Sequence, residues 1–531
     1  MASTGDDESI VEKLKQKVDT RDIQKREQEI NARIHSQYEK QQERLGELIG
    51  SNSTLPVTIS SVRVLGATHT RRGFLERIFN PILSINKSEP YTLNEAIAEI
   101  ASSADKLDRF GIFKSPISVY IDKPDQTDPN TTPTDLAVFL SAHERGKYTI
   151  KTGTEAGHAE GSAYLNVILR NIFGGAEALN ANASLGTRTR SAYSAFFDTP
   201  ILSNPNFNFE IGGLANTTLK SFASHEELLK GGSARFRYTT PSRRHKHELT
   251  YQGLWRQITG LAENASPTVR ADAGDSFKSS ITHTWTRDTR DLPLLPTRGS
   301  LLRTVSELAG IGPLKGDVAF GKLELDTQTA VPVQLYSTRT GEYWDSGISL
   351  TAGLRAGLLY PLSSGYPGSS DSKPQHSRLN DRFQLGGPTD VRGFRLSGLG
   401  PRDGPDAVGG DVYAAGGASI LFPFPRVGKD TPLRFQAFVN GGRLLALKDV
   451  RSDVEKEKDG EGGMSSRAVA QSVRSTVQEL RNELPSCAAG VGVVYAHPVA
   501  RFELNFSLPL VVRRGEEGRK GLTFGVGISF L

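Results

Sequence analysis

The sequence predicts an all-β transmembrane barrel of about sixteen antiparallel strands, carried behind one small N-terminal α/β domain. Three observations predict it. First, the 531 residues have a mean hydropathy of −0.36 and only 37% hydrophobic residues, and no run approaches the roughly 20 apolar residues of a spanning helix. Second, from Gly146 onward the chain is a succession of short segments that alternate apolar and polar residues, broken by Gly, Pro, Asn and Asp. Alternation of period two is the mark of a strand, and 54 glycines suit its turns. Third, in "RFELNFSLPLVV" one face carries Phe502, Leu504, Phe506, Leu508 and Leu510 and the other Glu503, Asn505 and Ser507. Apolar outside and polar inside describes a wall between lipid and a wet lumen.

An α-helical membrane protein is thereby excluded, and composition removes other classes. Cys487 is the only cysteine, so there is no intrachain disulfide and no zinc-ribbon or CxxC chemistry. A net charge of +5 without a dense basic tract argues against nucleic acid as a partner. The chain has no GxSxG, HExxH or P-loop, and "GVGVVY" lacks the third glycine of a dinucleotide fingerprint. It is read as a non-enzyme with no cofactor. His245 and His247 can share a strand face as metal ligands, but neighbouring histidines are more often surface residues, and no metal is expected.

Residues 1–54 form a charged arm and linker. Val11, Leu14, Val18, Ile30 and Ile34 fall at helical spacing, compatible with a solvated helix, a helix docked on a partner or a floppy arm. Asp6, Asp7 and Glu8 precede any apolar run, which fits neither a secretory signal nor an acid-poor presequence. Residues 55–144 read as a βααββ module: a strand around Ile59, Val62 and Val64, Gly66, a short helix near Arg71 to Ile78, then a longer one. Thr92 and Glu95 make a capping box for that longer helix, Leu93, Ile97, Ile100, Ala104 and Leu107 line one face, and Gly111 ends it. Strands around Val119 and Ile121 and around Leu136, Val138 and Leu140 flank the polar stretch "DKPDQTDPNTTPTD". A module of about 90 residues buries one modest core.

Residues 145–531 supply the barrel, at about 24 residues per strand and connection; an even strand number returns both termini to one rim. Two connections, about 363–410 and 449–486, are too long for turns. The second carries "DVEKEKDGEGG" and then Val469, Val473, Val477, Leu480 and Leu484 at helical spacing up to Pro485: a helix laid on the mouth, offered to a partner, or simply an insertion. The first contains "FQLGGPTDVRGFRLSGLG". Arg392, between Val391 and Gly393 and followed by Phe394, is either threaded into the lumen, where it needs carbonyl or acidic partners, or an ordinary exposed loop arginine. Spacing alone leaves both open.

Val391-Arg392-Gly393-Phe394 resembles the signature loop of the outer-membrane barrel-assembly superfamily, the insertases of bacteria, mitochondria and plastids. "RNIFGG" (Arg170 to Gly175) resembles that family's early strand ending, and "TRDTRDLPLLPTRGS" (Thr286 to Ser300) its Asp-x-x-Asp strand end followed by Pro-Thr-x-Gly. Five strands follow the loop, as in the family, and residues 55–144 look like its polypeptide-transport-associated (POTRA) domain. With one such domain, a charged arm and no signal peptide, the chain most resembles the mitochondrial sorting and assembly branch. The resemblance implies insertion and folding of β-barrel precursors in the mitochondrial outer membrane. It places the N-terminal domain in the intermembrane space and accessory sorting and assembly subunits on the cytosolic side. It also implies that Arg392 pins the loop inside the lumen. This sequence departs from the family with Ser419, where relatives often place an acid, and with Asn440 before Gly441, where they often place Asp. Asn440 or a backbone carbonyl is therefore the expected partner of the arginine.

The last strand, Gly521 to Leu531, is expected to close against the first, about Lys147 to Gly153. That seam joins the two ends of the barrel, so no covalent hairpin holds it. Tyr148, Thr149, Ile150, Lys151, Thr152 and Gly153 form one lip; Thr523, Gly525, Gly527, Ile528 and Phe530 form the other. The two glycines weaken the strand and permit a kink. A parted seam offers an edge on which a client's terminal signal strand can pair, so that its backbone never faces lipid unsatisfied. Thr523, Gly525, Ile528 and Phe530 also fit the polar-x-Gly-x-x-hydrophobic-x-hydrophobic signal of mitochondrial barrel clients. Two other classes compete. A passive porin or protein-conducting channel leaves the α/β module and the Arg392 loop without a role, and a soluble all-β protein requires an apolar interior.

Overall fold

A computed structural model describes residues 46–124, 131–157, 160–311, 314–336, 343–363, 376–424, 431–447, 466–498 and 500–527, with scattered positions from 33 to 44. The helical spacing of Val11 to Ile34, the run "DVEKEKDGEGG", and Ile528 and Phe530 lie outside the described residues. The chain divides into two units, Met1–Thr68 with Leu75–Arg145, and His69–Phe74 with Gly146–Leu531.

The first unit is built on β1 (Pro56–Leu65), all but the first three residues of α1 (Arg72–Phe79), β2 (Tyr91–Thr92), α2 (Leu93–Asp108), β3 (Ser118–Asp122) and β4 (Asp135–Ser141). Its sheet runs β2-β1-β4-β3, with β1 and β4 parallel. Ile59, Ile100, Leu107, Val138 and Leu140 are buried in its core, because α2 turns one apolar stripe onto the sheet. The cap forms as its spacing predicts: Glu95 N donates to Thr92 Oγ1 at 3.4 Å, and Thr92 N donates to Glu95 Oε2 at 3.0 Å. Thr92→Ala is expected to cost about 1 kcal/mol, read as faster amide exchange confined to the first turn of α2.

The second unit is one antiparallel sheet of 16 strands. It contains β5 (Tyr148–Gly157), β6 (Glu160–Arg170), β7 (Ala178–Gly186), β8 (Thr189–Pro200), β9 (Phe207–Lys220), β10 (His225–Thr239), β11 (His245–Thr259) and β12 (Gly274–Asp288). β13 (Gly299–Ala309), β14 (Phe320–Tyr336) and β15 (Tyr343–Pro361) follow. After the first long connection, with its small β16 (Arg402–Asp403) and β17 (Asp406–Ala407), come β18 (Val412–Pro423), β19 (Leu433–Leu445), β20 (Ser486–Ala496), β21 (Arg501–Val511) and β22 (Gly521–Gly527). Each strand pairs with the next in order, and the sheet curls until β22 lies beside β5. Among the described residues no helix is long and apolar enough to cross a membrane. The strands present the apolar surface instead, with Leu504, Phe506, Leu508, Leu510, Leu522 and Phe524 exposed on the outer face.

β5 sets out from what we term the near rim; both long connections sit at the opposite, far rim, because each follows an odd-numbered wall strand. A short α3 (Pro267–Ala271) lies there, as does α4 (Ser466–Asn482), which packs beside β15, β18 and β19. α4 buries Val469, Ser472 and Thr476 and leaves Val477 exposed, and it ends at Asn482, short of the expected Leu484, which is exposed beyond it. Buried Arg443 of β19 fixes its last turn, donating to Glu479 O at 2.5 Å and Glu483 Oε2 at 2.9 Å. A cation there also meets the negative end of the helix dipole.

The expectation of a wet lumen fails along β21. Arg501, Glu503, Asn505 and Ser507 do face inward, but all are buried, because the connection after β15 folds back inside the wall and covers them.

Candidate functional site

The covering segment, residues 376–411, is anchored first by apolar packing. Phe383, Leu385, Val391, Phe394 and Leu399 form one buried cluster with wall residues of β13 to β15 and with Ala415, Leu444 and Ala488. Burying five large side chains supplies most of the drive to stay inside, at about 1.5–3 kcal/mol each. Glycine at 393 lets the chain turn there: its φ is 87°, and a Cβ would stand 2.6 Å from the Ala488 Cβ.

Arg392 is 1% exposed. Its Nε and Nη2 donate to the two carboxylate oxygens of Glu503, at 2.9 and 3.1 Å, and the guanidinium lies 5.0 Å from the Phe438 ring centre. This corrects the expected partner. Asn440 does reach Arg392, but through the backbone: its side-chain oxygen accepts from Arg392 N at 2.8 Å and its nitrogen donates to Arg392 O at 3.1 Å. An amide suits that task because it offers one donor and one acceptor to a peptide group, which a carboxylate cannot. Asn440→Asp is accordingly expected to weaken loop docking by about 1–3 kcal/mol, measured as faster tryptic cleavage of the loop. Ser419 takes no part and bonds Thr351 at 2.5 Å.

Glu503 serves two cations. Arg501 Nη2 stands 2.6 Å from its other side, and Asn505 Nδ2 donates to it at 2.7 Å. Arg501 also donates to Gln436 Oε1 at 2.8 Å and Leu294 O at 3.4 Å. Leu294 belongs to the near-rim connection 289–298, whose Leu295 is buried against Leu421 and Val494. The two inward-folding loops are therefore tied through one carboxylate. In that connection, burial would raise the pKa of Asp291, but the Thr297 hydroxyl and the amides of Thr297, Leu292 and Arg298 hold it below the usual carboxylate range. This is the local reason for an aspartate at 291 and a threonine at 297.

Further ion pairs clamp the signature loop elsewhere: Asp381 to Arg256 at 2.6 Å and Asp390 to Arg355 at 3.2 Å. Asp406 accepts from Ser224 Oγ at 2.5 Å and Ser266 N at 2.7 Å. Asp403 accepts from the Thr268 hydroxyl and amide, which lowers its pKa.

At the seam, Tyr148 and Ile150 of β5 point outward and are exposed. The remaining lip residues, Thr149, Lys151, Thr152 and Gly153, pair with β6. On the other side Thr523, Gly525 and Gly527 pair with Asn505, Glu503 and Arg501 of β21. Between β5 and β22 no ladder is formed among the described residues. Among the described residues the last strand thus approaches the first without a named pairing between them. Of the two neighbouring histidines, His245 stacks on Trp285, and His247 Nδ1 lies 3.3 Å from His283 Nε2. Among the described residues no three His, Cys, Asp or Glu side chains converge as a metal site.

A family model described as the Omp85 superfamily domain matches residues 171–530. The chain belongs to the Omp85 superfamily. Omp85-related chains include a SAM50-like protein of Schizosaccharomyces pombe, 38% identical over 495 residues, spanning 92% of this chain and 94% of that one. The sorting and assembly machinery component 50 homolog of Homo sapiens is 32% identical over 444 residues, 83% of this chain and 84% of its own. Among solved structures, BamA from Haemophilus ducreyi lacking POTRA domains 1–3 superimposes with a TM-score of 0.64 at 13% identity, over 88% of this chain and 84% of that one. That likeness is one of fold, a sixteen-stranded Omp85 barrel, and the α/β unit before it is consistent with a POTRA domain.

Proposed function

We infer that this chain inserts and folds β-barrel precursors in the mitochondrial outer membrane, with the seam between β5 and β22 as the place of work. The observation that carries the reading is that, among the described residues, these two strands lie side by side without a ladder. The backbone groups on the outer edge of β5, the end of the strand order, are a template for strand addition. A client's terminal strand pairs there, and each following hairpin pairs with the one before, so peptide groups leave water only once bonded. The work is binding and release of strands, without covalent chemistry or a cofactor. Relatives named as components of a sorting and assembly machinery support the reading, as does a wall with an apolar outer face.

On this reading the α/β unit stands in the intermembrane space and accessory subunits meet the cytosolic rim. A passive pore is disfavoured because the signature loop occupies the lumen beside β18 to β21. The test is to deplete the protein and follow newly imported porin in isolated mitochondria, scoring its carbonate-resistant, assembled form. Porin that crosses the membrane but fails to assemble is the expected result. Normal assembly with altered metabolite flux would identify a channel instead.

A further inference from the structure

The signature loop also grips the connection that leads into the last strand. Residues 512–520 join β21 to β22, and there the loop pairs with them backbone to backbone. Phe394 and Gly518 form an antiparallel bridge. Arg395 N donates to Glu517 O at 3.0 Å, Glu517 N to Gly398 O at 2.8 Å, and Arg519 N to Gly393 O at 2.8 Å. Side chains follow the same path: the Glu517 carboxylate meets Arg402 and, at 3.4 Å, Arg395. Gly398 has no room for a side chain, since a Cβ would stand 2.9 Å from Glu517 O. The neighbouring Glu516 ties the same connection to the wall, accepting from Ser486 Oγ of β20 at 2.5 Å, and closes the connection on itself by accepting from Arg513 N at 3.1 Å.

We propose that residues 512–520 are a latch through which the signature loop fixes the far-rim end of β22, with Glu517 as its positioning residue. An exposed ion pair alone adds little; here it selects the register of three backbone bonds that end two residues before Gly521. The far-rim end of β22 cannot shift while the loop holds it, so strand exchange at the seam begins at the near rim. Only that last consequence rests on the insertase reading. The latch is a property of the chain without a client.

The experiment follows amide exchange in the full chain in lipid nanodiscs, client-free. Glu517→Gln is expected to speed exchange across residues 517–525 several-fold, and Gly398→Ala about tenfold, with β18 and β19 unchanged. The charge exchange Glu517→Arg with Arg402→Glu is expected to restore protection, which a merely disordered connection would not do. Wild-type exchange in Glu517→Gln, or a loss that spreads equally to β18 and β19, overturns the assignment. Should Gly398→Ala fail to fold, Glu517→Gln and the charge exchange still decide. Porin assembly is scored separately: if the wild-type chain does not support it, the insertase reading falls while the exchange data still judge the latch.

Discussion

Glu503→Ala is expected to release the signature loop more completely than Arg392→Ala. Removing the arginine leaves Glu503 with Arg501 and Asn505 still in place. Removing the carboxylate leaves two buried guanidinium groups, Arg392 and Arg501, 1% and 5% exposed, facing each other without their shared anion. Breaking one side of a buried pair costs about 3–5 kcal/mol, which is about two to four powers of ten in the docking equilibrium. Both variants are expected to expose the loop to trypsin after Arg378 and Arg382, Glu503→Ala faster, and to lower porin assembly in the same order. An Arg392→Ala protein more sensitive than Glu503→Ala would mean that Arg501 does not share the carboxylate. Wild-type resistance in both would remove the ion pair from the anchoring account.

Gly393→Ala is expected to be nearly as damaging, for a steric reason. The residue's φ of 87° costs a non-glycine residue about 1–2 kcal/mol. The new methyl, 2.6 Å from the Ala488 Cβ, adds about 1–3 kcal/mol of crowding. The two parts separate cleanly. A second change, Ala488→Gly, removes the crowding and leaves the strain, so the double variant should regain roughly half of the lost protease resistance. Full recovery would show that the backbone angle is not strained, and no recovery that the contact is not the obstacle.

Strand number and order were legible because period-two alternation survives even where the inner face is polar, and because turn residues mark each strand's end. The capping box of α2 was legible for the same local reason: Thr92 and Glu95 are three residues apart and need no tertiary information. What failed was long-range pairing. Glu503 was readable as inward-facing from its place between Phe502 and Leu504. That it meets Arg392 depends on how deeply a loop threads past β18 to β20, and no periodicity encodes that depth. Asn440 was found by its place before Gly441, but the choice between its contact with a guanidinium and with a peptide group is a matter of ångströms. Along β21 the wet lumen was misjudged because a polar inner face looks the same whether water or a polar loop lies against it. His245 and His247 share a face as alternation requires, but each stacks across the strand boundary, on Trp285 and His283, rather than along it.

The carboxylate that receives Arg392 lies 111 residues further along the chain, on the last strand but one. Closing so long a stretch carries an entropic cost that only late contacts repay. While this chain is itself being folded from its terminal strand, Glu503 is therefore laid down early and stands without Arg392 until β20, β19, β18 and the loop have followed. Full seating of the loop then joins both parts of the wall, since it also needs Arg256 of β11 and the apolar residues of β13 to β15.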